Sequence, residues 1–524
     1  SQLPAPTATE RRTHRLTSPR NHLRDYVNDP LVNYVTVDTL ERSISYHRLV
    51  EEQAAAIRHL SRLEGSLVLV VGPGGSGKTL AIGSYAEAVR ATGSRVIGAA
   101  TSATAAANLG QSLNGCWTGT IALLRHHLER TGQPLPPRTV LLIDEASMVS
   151  TADLAWAVQL VRDCNGKLIL IGDPRQLPPV DSGGLFHRLV AQGHQVVDKL
   201  ASVNQRQTLD LDRENLTRLR TGKIEEAIHH YSGAERLHLG QSEASTKSAM
   251  VEAWWKDVER FGLERVRMLA SRRHEVETLN QLARAEMSVA GVLTGPVLTT
   301  RWGTDFQAGD RVVVRDNWYS YSDLRNGQTG TITAVDPQRG SVCIRRDLDG
   351  QSIDLPRSYV DRNLDLAYAQ TIHTAQGQSF AVTHLYADLG VKAEHGYTAL
   401  SRARGETHLW LNDVRGPLGD CTYLHGNPLI ENRVEALVRQ LSQSVVEPPA
   451  HDQGIAFHAA GDEELVEARD QLATIIRHAH ISASLDDRIA AFDGAITRRS
   501  KSVQDLRPLA LKLSCDISKN CGPS

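Results

Sequence analysis

Short, uninterrupted apolar runs mark the first half of the chain: LVLVV at 67–71, VLLI at 140–143 and KLILIG at 167–172. Runs this brief and this aliphatic suit strands buried on both faces, as in a parallel sheet covered by helices on either side. Strand and helix patterns alternate, which predicts a doubly wound α/β architecture whose ligand site lies at the carboxyl ends of the strands. From 306 to 360 the helical periodicity gives way to DRVVVRD, TGTITAVD, SVCIRRD and QSIDLP, separated by PQRG and LDG. These read as strands joined by turns and predict a small β-barrel. Beyond 416, IENRVEALVRQL, DEELVEARDQLATIIRHA and LDDRIAAFDGAI have the spacing of amphipathic helices, interrupted by SVVEPPAHDQG at 444–454.

The loops after the apolar runs carry the chemistry. GPGGSGKT at 72–79 follows the first run directly and satisfies the phosphate-loop pattern in full. Gly72, Gly74, Gly75 and Gly77 allow a tight turn that aims backbone N–H groups, with that of Ser76, at phosphate oxygens. Lys78 bridges the outer phosphates, Thr79 offers a hydroxyl to Mg²⁺, and the helix that begins here turns its positive end to the anion. The second run ends in DEAS: Asp144 is the candidate to hold Mg²⁺ and Glu145 the candidate base for the attacking water. The third delivers DPRQLPPV at 173–180, where Gln176 is placed to sense the outer phosphate. ATP and Mg²⁺ are the expected cofactors. A GTPase fits these loops equally, but has no need for the arginines of the second half, Arg206 in NQRQ and Arg402 in ALSRAR, which are candidates to reach the phosphates from another domain.

Length and composition bound the picture. At 524 residues the chain is too long for one core and predicts three or four domains. Its balance of 41% hydrophobic and 23% charged residues is that of a globular protein, and no stretch approaches the length of a bilayer span. A cytoplasmic protein is expected: there is no export signal, and the six cysteines form neither a CxxC pair nor a disulfide framework. With a net charge of −2, any nucleic-acid track must be a local groove.

GPGGSGKT, AATSATAAANL at 99–109, LIDEASM, GDPRQLPPV, NQRQ, TIHTAQGQSF at 371–380 and YTALSRAR at 397–404 follow the order of the superfamily 1 helicase motifs. The sequence resembles the 1B branch, which holds RecD-like and Pif-like enzymes and the helicase part of MobF-type conjugative relaxases of the TraI and TrwC kind. GCWTGTIALLRHHL at 115–128, VDSGGLFHRL, FQAGDRVVVRDN, RNGQTGTI and LAYAQTIHTAQGQS are similar to the relaxase group, and the likeness covers about residues 46–415.

The resemblance implies two RecA-like lobes with ATP between them and single-stranded DNA across the top. It implies a 5′-to-3′ helicase or translocase, acting as a monomer on single strands and on duplex with a 5′ tail. It divides the chain into a segment 1–45; a first lobe 46–200 with an insertion at about 113–138 bearing a strand-splitting wedge; a second lobe 201–300 and 361–415 with an SH3-like barrel at 301–360; and a helical region 416–524. Gln53 matches the adenine-reading position, and Gly377 falls among the nucleotide-site residues. Thr101, Ser102, His373, Thr374 and Gln376 match strand-contacting positions, and Arg325 and Asn326 reach the backbone from the barrel. Hydroxyls and amides that grip phosphate without reading bases suit a sequence-indifferent motor. Conjugation or repair proteins are the implied partners. A stand-alone repair helicase, a translocase that does not unwind, and a catalytically idle scaffold are the alternatives. MobF relaxases also nick DNA with tyrosines and a three-histidine metal site; the HxH at His478 and His480 lacks a third ligand, so nicking is not expected of this chain, whose first residue, Ser rather than Met, points to excision or processing.

Overall fold

A computed structural model describes residues 35–445, apart from 64–65, 180–183, 194–195, 198–199, 201–205, 319–323, 388–389 and 413–432. The helices expected at DEELVEARDQLATIIRHA and LDDRIAAFDGAI, and His478 and His480, lie outside the described residues.

The chain enters through α1 (Val37–Tyr46) and α2 (Glu51–Arg62). The first lobe then runs β1 (Leu67–Val71), α3 (Lys78–Ala91), β2 (Val96–Ala100), α4 (Ala103–Ser112), β3 (Trp117–Thr120), α5 (Ile121–Thr131), β4 (Val140–Asp144), α6 (Thr151–Asp163), β5 (Lys167–Gly172), α7 (Leu185–Ala191) and β6 (Val196–Val197). Its six strands are all parallel, in the order β3-β2-β4-β5-β1-β6, and the three apolar runs form neighbouring strands at its centre. The sheet is aliphatic because helices pack on both faces: Leu67, Leu69 and Leu141 meet one set, Val68, Val70 and Leu142 the other.

Two boundaries differ from expectation. Helix α1 belongs to this lobe, not to a linker, because Leu40 and Ile44 are buried in one core cluster with Ile82 and Tyr85. Residues 113–138 do not leave the lobe as a separate insertion. Trp117–Thr120 pairs with β2 as an edge strand, and Ile121 and Leu124 of α5 are buried in the lobe core.

After α8 (Asp210–Arg220) and α9 (Ile224–Gly233) the second lobe begins with β7 (Leu237–Gly240), α10 (Glu243–Phe261), β8 (Val266–Ala270) and α11 (Arg273–Val289). A β-rich insertion follows: the hairpin β9 (Thr294–Thr299) and β10 (Asp305–Ala308), then β11 (Arg311–Val314), β12 (Thr329–Asp336), β13 (Ser341–Arg346), β14 (Ser352–Leu355), α12 (Arg357–Asn363) and β15 (Leu364–Leu366). The lobe resumes with β16 (Ala369–Thr371), β17 (Val382–Tyr386), α13 (Ala393–Leu400) and β18 (Thr407–Asn412), and α14 (Arg433–Leu441) packs Leu437 and Leu441 into its core. The second sheet is parallel as well, in the order β16-β8-β17-β18-β7.

Architecturally these are two RecA-like lobes. The four strands expected at 306–360 form as antiparallel β11 to β14, joined by β15, in the order β14-β13-β12-β11-β15. Among the described residues no ladder joins the edge strands β14 and β15, and α12 leads the chain from one edge of this sheet to the other.

Candidate nucleotide corner and nucleic-acid cleft

The phosphate loop leaves β1 where an unbranched, left-handed backbone is required: Gly75 has φ 86° and Gly77 φ 73°. A Cβ at Gly75 would stand 2.3 Å from the Cβ of Arg206, so this glycine also lets the second half of the chain press onto the loop. Lys78 Nζ donates to the carbonyls of Gly72 (2.7 Å) and Pro73 (2.8 Å) and folds back over the loop. Burial lowers its pKa, opposed by Asp173, Glu145 and Asp144. The buried hydroxyl of Ser76 has no hydrogen-bond partner in the protein. Gln53, buried on α2, donates through Nε2 to the Ser76 carbonyl (3.2 Å), which fixes it behind the loop.

Two side chains at the carboxyl end of β4 face this loop. Thr79 Oγ1 lies 3.4 Å from Asp144 Oδ2. Desolvation, and then the neighbouring Glu145 charge, push the Asp144 carboxyl up to about 6. Glu145 has φ 52°, a left-handed conformation that costs a non-glycine residue energy, and strain of this kind gathers at functional sites.

Arg206, Gln176 and Arg402 converge on one point. A Cβ built on Gly74 would lie 3.1 Å from Arg206 Nη1, 3.3 Å from Gln176 Nε2 and 3.5 Å from Arg402 Nη2. Arg402 donates to Gln176 Oε1 (3.4 Å), and Arg206 donates to the Ser401 carbonyl (3.2 Å). Burial and then the adjoining Arg206 lower the Arg402 pKa to about 10, and burial lowers that of Arg206. The buried guanidinium of Arg402 and the half-buried one of Arg206, beside a glycine loop with an orphaned hydroxyl, form a donor set suited to a polyanion. Thr79 with Asp144, an oxygen pair at its edge, suits a hard divalent cation.

Three residues without an assigned role in the sequence complete this corner. Asp173 is buried, accepts from Arg220 Nη1 (3.1 Å to Oδ2) and from the Tyr397 hydroxyl (2.9 Å), while Arg220 also donates to Tyr397 (2.8 Å). Leu177, four residues on, is packed in a core cluster of the second lobe, and its N–H donates to Thr398 Oγ1 (3.2 Å). The loop after β5 is thus plugged into the opposite lobe. Asp173 and Tyr397 stood within recognised motifs; Arg220 ends an amphipathic helix and carried no signal.

On the other side of the lobe contact lies an open cleft of about 870 Å³. Thr101, Ser102, Arg325, Asn326, His373, Thr374 and Gln376 all line it, so the structure brings together every residue expected to contact a strand. Arg273, Arg315 and Asn317 line it too; Arg315 and Asn317 stand in the stretch FQAGDRVVVRDN without an assigned role, and Arg273 lies outside every motif. Ser102 additionally caps α4, accepting from the Ala105 N–H (3.2 Å), and Thr374 bonds Thr371 (2.9 Å between hydroxyls). His373 stacks edge-on with His395 at 5.3 Å, and burial lowers its pKa. Glu145 also reaches this wall, where Gln376 Nε2 donates to its Oε2 (3.3 Å). Gly377 departs from expectation. Its left-handed φ of 80° brings it against α4, 3.5 Å from Ala105 Cβ and 3.8 Å from Ser102 Oγ by its own Cβ direction, on the cleft side and not at the phosphate loop.

Among the described residues no cluster suited to a metal ion appears on histidine, cysteine and carboxylate side chains alone, and no helix is long and apolar enough to cross a membrane.

A family model described as an AAA domain matches residues 48–242. The chain is 26% identical over 496 residues to a probable conjugal transfer protein TraA of Sinorhizobium fredii, covering 91% of this chain and 43% of that protein. It is 28% identical over 389 residues to the conjugal transfer protein TraA of Agrobacterium fabrum (74% and 34%) and 27% identical over 374 residues to the ATP-dependent RecD2 DNA helicase of Deinococcus radiodurans (68% and 48%). The chain therefore spans less than half the length of these relatives. A crystal structure of Bacteroides Pif1 bound to single-stranded DNA is similar with a TM-score of 0.45 and 19% identity, covering 68% of this chain and 92% of that one.

Proposed function

We propose that this chain, a superfamily 1B helicase homologue related to the conjugative relaxases, hydrolyses ATP to move 5′ to 3′ along single-stranded DNA and to displace the complementary strand. The observation that carries the reading is the single cleft holding all seven expected strand contacts, with Glu145 of the nucleotide corner on its wall.

In the proposed chemistry, the glycine-loop N–H groups and Lys78 hold the phosphates, and Gln53 lies behind the loop on the side where a base is read. Thr79 and Asp144 would hold Mg²⁺, which neutralises charge on the outer phosphate oxygens. Glu145 accepts a proton as a water oxygen bonds to the outer phosphorus and the bond to the bridging oxygen breaks. Gln176 orients that water, and Arg206 and Arg402 stabilise the charge of the transition state. Both arginines follow the first lobe in the chain, so the reaction completes only when the lobes are closed. Thr101 and Ser102 on one lobe and His373, Thr374 and Gln376 on the other grip phosphates alternately as the lobes open and close, and Arg325 and Asn326 retain the strand. The Glu145–Gln376 hydrogen bond is the route by which an occupied cleft acts on hydrolysis.

Conjugal DNA processing is the setting that the TraA relatives favour. Displacement assays on duplexes with a 5′ or a 3′ tail test the reading. The 5′-tailed duplex should be unwound with ATP and Mg²⁺ and not by Lys78→Ala; exclusive use of the 3′ tail overturns the polarity, and absence of ATP-driven movement on either overturns the motor.

A further inference from the structure

All seven tryptophans of the chain are described, and six are buried or half-buried. Trp302 is 72% exposed. Leaving an indole in water forgoes a large favourable burial, and such residues concentrate where a partner covers them.

The position is a built one. Trp302 sits at the tip of the β9–β10 hairpin, in a turn closed by Thr300 N–H to the Thr304 carbonyl (2.8 Å), Gly303 N–H to the Thr300 carbonyl (3.0 Å) and Thr304 N–H to Thr300 Oγ1 (3.0 Å). Gly303, at φ 84°, supplies the left-handed residue the turn needs. The tip is tied down from outside the hairpin as well: Arg301 N–H donates to Asp361 (3.1 Å), Arg357 donates to the Thr299 carbonyl (2.8 Å), and Arg357 and Asp361 pair with each other (3.0 Å). The Arg301 guanidinium lies 4.5 Å from the Trp302 ring centroid, adding positive charge beside the aromatic surface. Thr304 lines the nucleic-acid cleft, and two peptide steps put the Trp302 Cα within about 8 Å of it. The hairpin tip that carries the indole therefore adjoins the rim of the cleft, with its backbone turn fixed by hydrogen bonds.

We propose that Trp302, backed by Arg301, is a base-stacking platform at the mouth of the cleft, taking one unpaired nucleobase of the strand. Every base offers a π-face, so such a platform adds affinity without sequence preference, and Arg301 adds attraction for the adjoining phosphate. A fixed platform also gives the strand a defined point of entry or exit. The inference rests on the DNA reading above.

The test is the affinity of the full chain for a labelled oligo-dT and for an oligonucleotide of equal length made of abasic units, with Trp302→Ala and Trp302→Phe compared with wild type. Trp302→Ala should weaken oligo-dT binding roughly tenfold, the size that base–aromatic stacking gives. Trp302→Phe should restore most of it, and the abasic strand should bind all three alike. Melting temperatures should match, since the indole contributes little to the core. Unchanged oligo-dT affinity in Trp302→Ala, or an equal loss on the abasic strand, overturns the platform while leaving the motor reading intact. A wild-type chain that binds neither strand removes the DNA reading itself, and the platform with it.

Discussion

The strands of the first sheet are aliphatic almost without interruption, LVLVV, VLLID and KLILIG, whereas those of the second interleave polar groups: Arg267 on β8, Thr383 and His384 on β17, Thr407 and His408 on β18, His238 on β7. Both sheets are parallel and both carry helices. Their interiors differ in what they leave to hydrogen bonding. In the second, His384 bonds Asp257 (2.9 Å) and accepts from Trp410 Nε1 (3.2 Å), and His238 and His408 approach to 3.1 Å. The first lobe concentrates its polar groups in loops at the strand ends, where they form the nucleotide corner. The second distributes them through its core and contributes to the corner from beyond it.

The comparison breaks most sharply at Arg402, whose charge reaches the corner from the second lobe. Arg402→Ala should lower kcat for ATP by about a thousandfold, in the range for arginines that stabilise transferring phosphate, with nucleotide affinity much less affected. A steady-state rate within tenfold of wild type would take Arg402 out of the chemistry.

The same contrast decided how much could be read from the chain. Continuous aliphatic runs ending in GKT and DEAS announce buried strands and phosphate chemistry together, so β1, β4, β5 and their loops were legible. VRMLA, VTHLY and THLWLN show neither clean alternation nor a continuous apolar run, and the second sheet was inferred only from the order of motifs. The insertion expected at the edge unit β3–α5 came from the resemblance alone; WTGT is half-polar, as an edge strand with a half-exposed face permits, and carries no strand signal of its own. Arg220 has no local signature at all: its role follows from Asp173, which is 47 residues earlier in sequence and on the other lobe.

Next in size is that plugged loop. Asp173→Ala leaves the Arg220 guanidinium without its carboxylate in a largely dry contact, which should cost about 3 kcal/mol of stability. Tyr397→Phe, removing one hydroxyl from the same cluster, should cost about 1 kcal/mol. Chemical unfolding of both variants checks the ranking; equal, negligible losses would mean the lobes do not depend on the plug.

Smaller than the loss at Asp173 is the acid sensitivity of the second lobe. Burial holds His408 down to about 3 and His395 to about 4. From about pH 6.5 downward the unfolded chain takes up protons that the folded one refuses, so these histidines remove up to about 1.4 kcal/mol each per pH unit. Asp144, held up at about 6 in the absence of a cation, keeps its proton in the folded state and runs the other way between about pH 4 and 6, offsetting one of them. Urea unfolding from pH 7 to 5 should therefore show falling stability, flattened by His408→Gln. Stability that is constant or rises on acidification would contradict the assignment.

The central claim is that the corner and the cleft act as one device through Glu145 and Gln376. The direct measurement is the rate of ATP hydrolysis with and without oligo-dT, for wild type and Gln376→Ala. Hydrolysis by the wild type should rise severalfold on addition of the strand, and the rise should be lost or strongly reduced in Gln376→Ala. A wild-type rate that is the same with and without DNA would contradict the account.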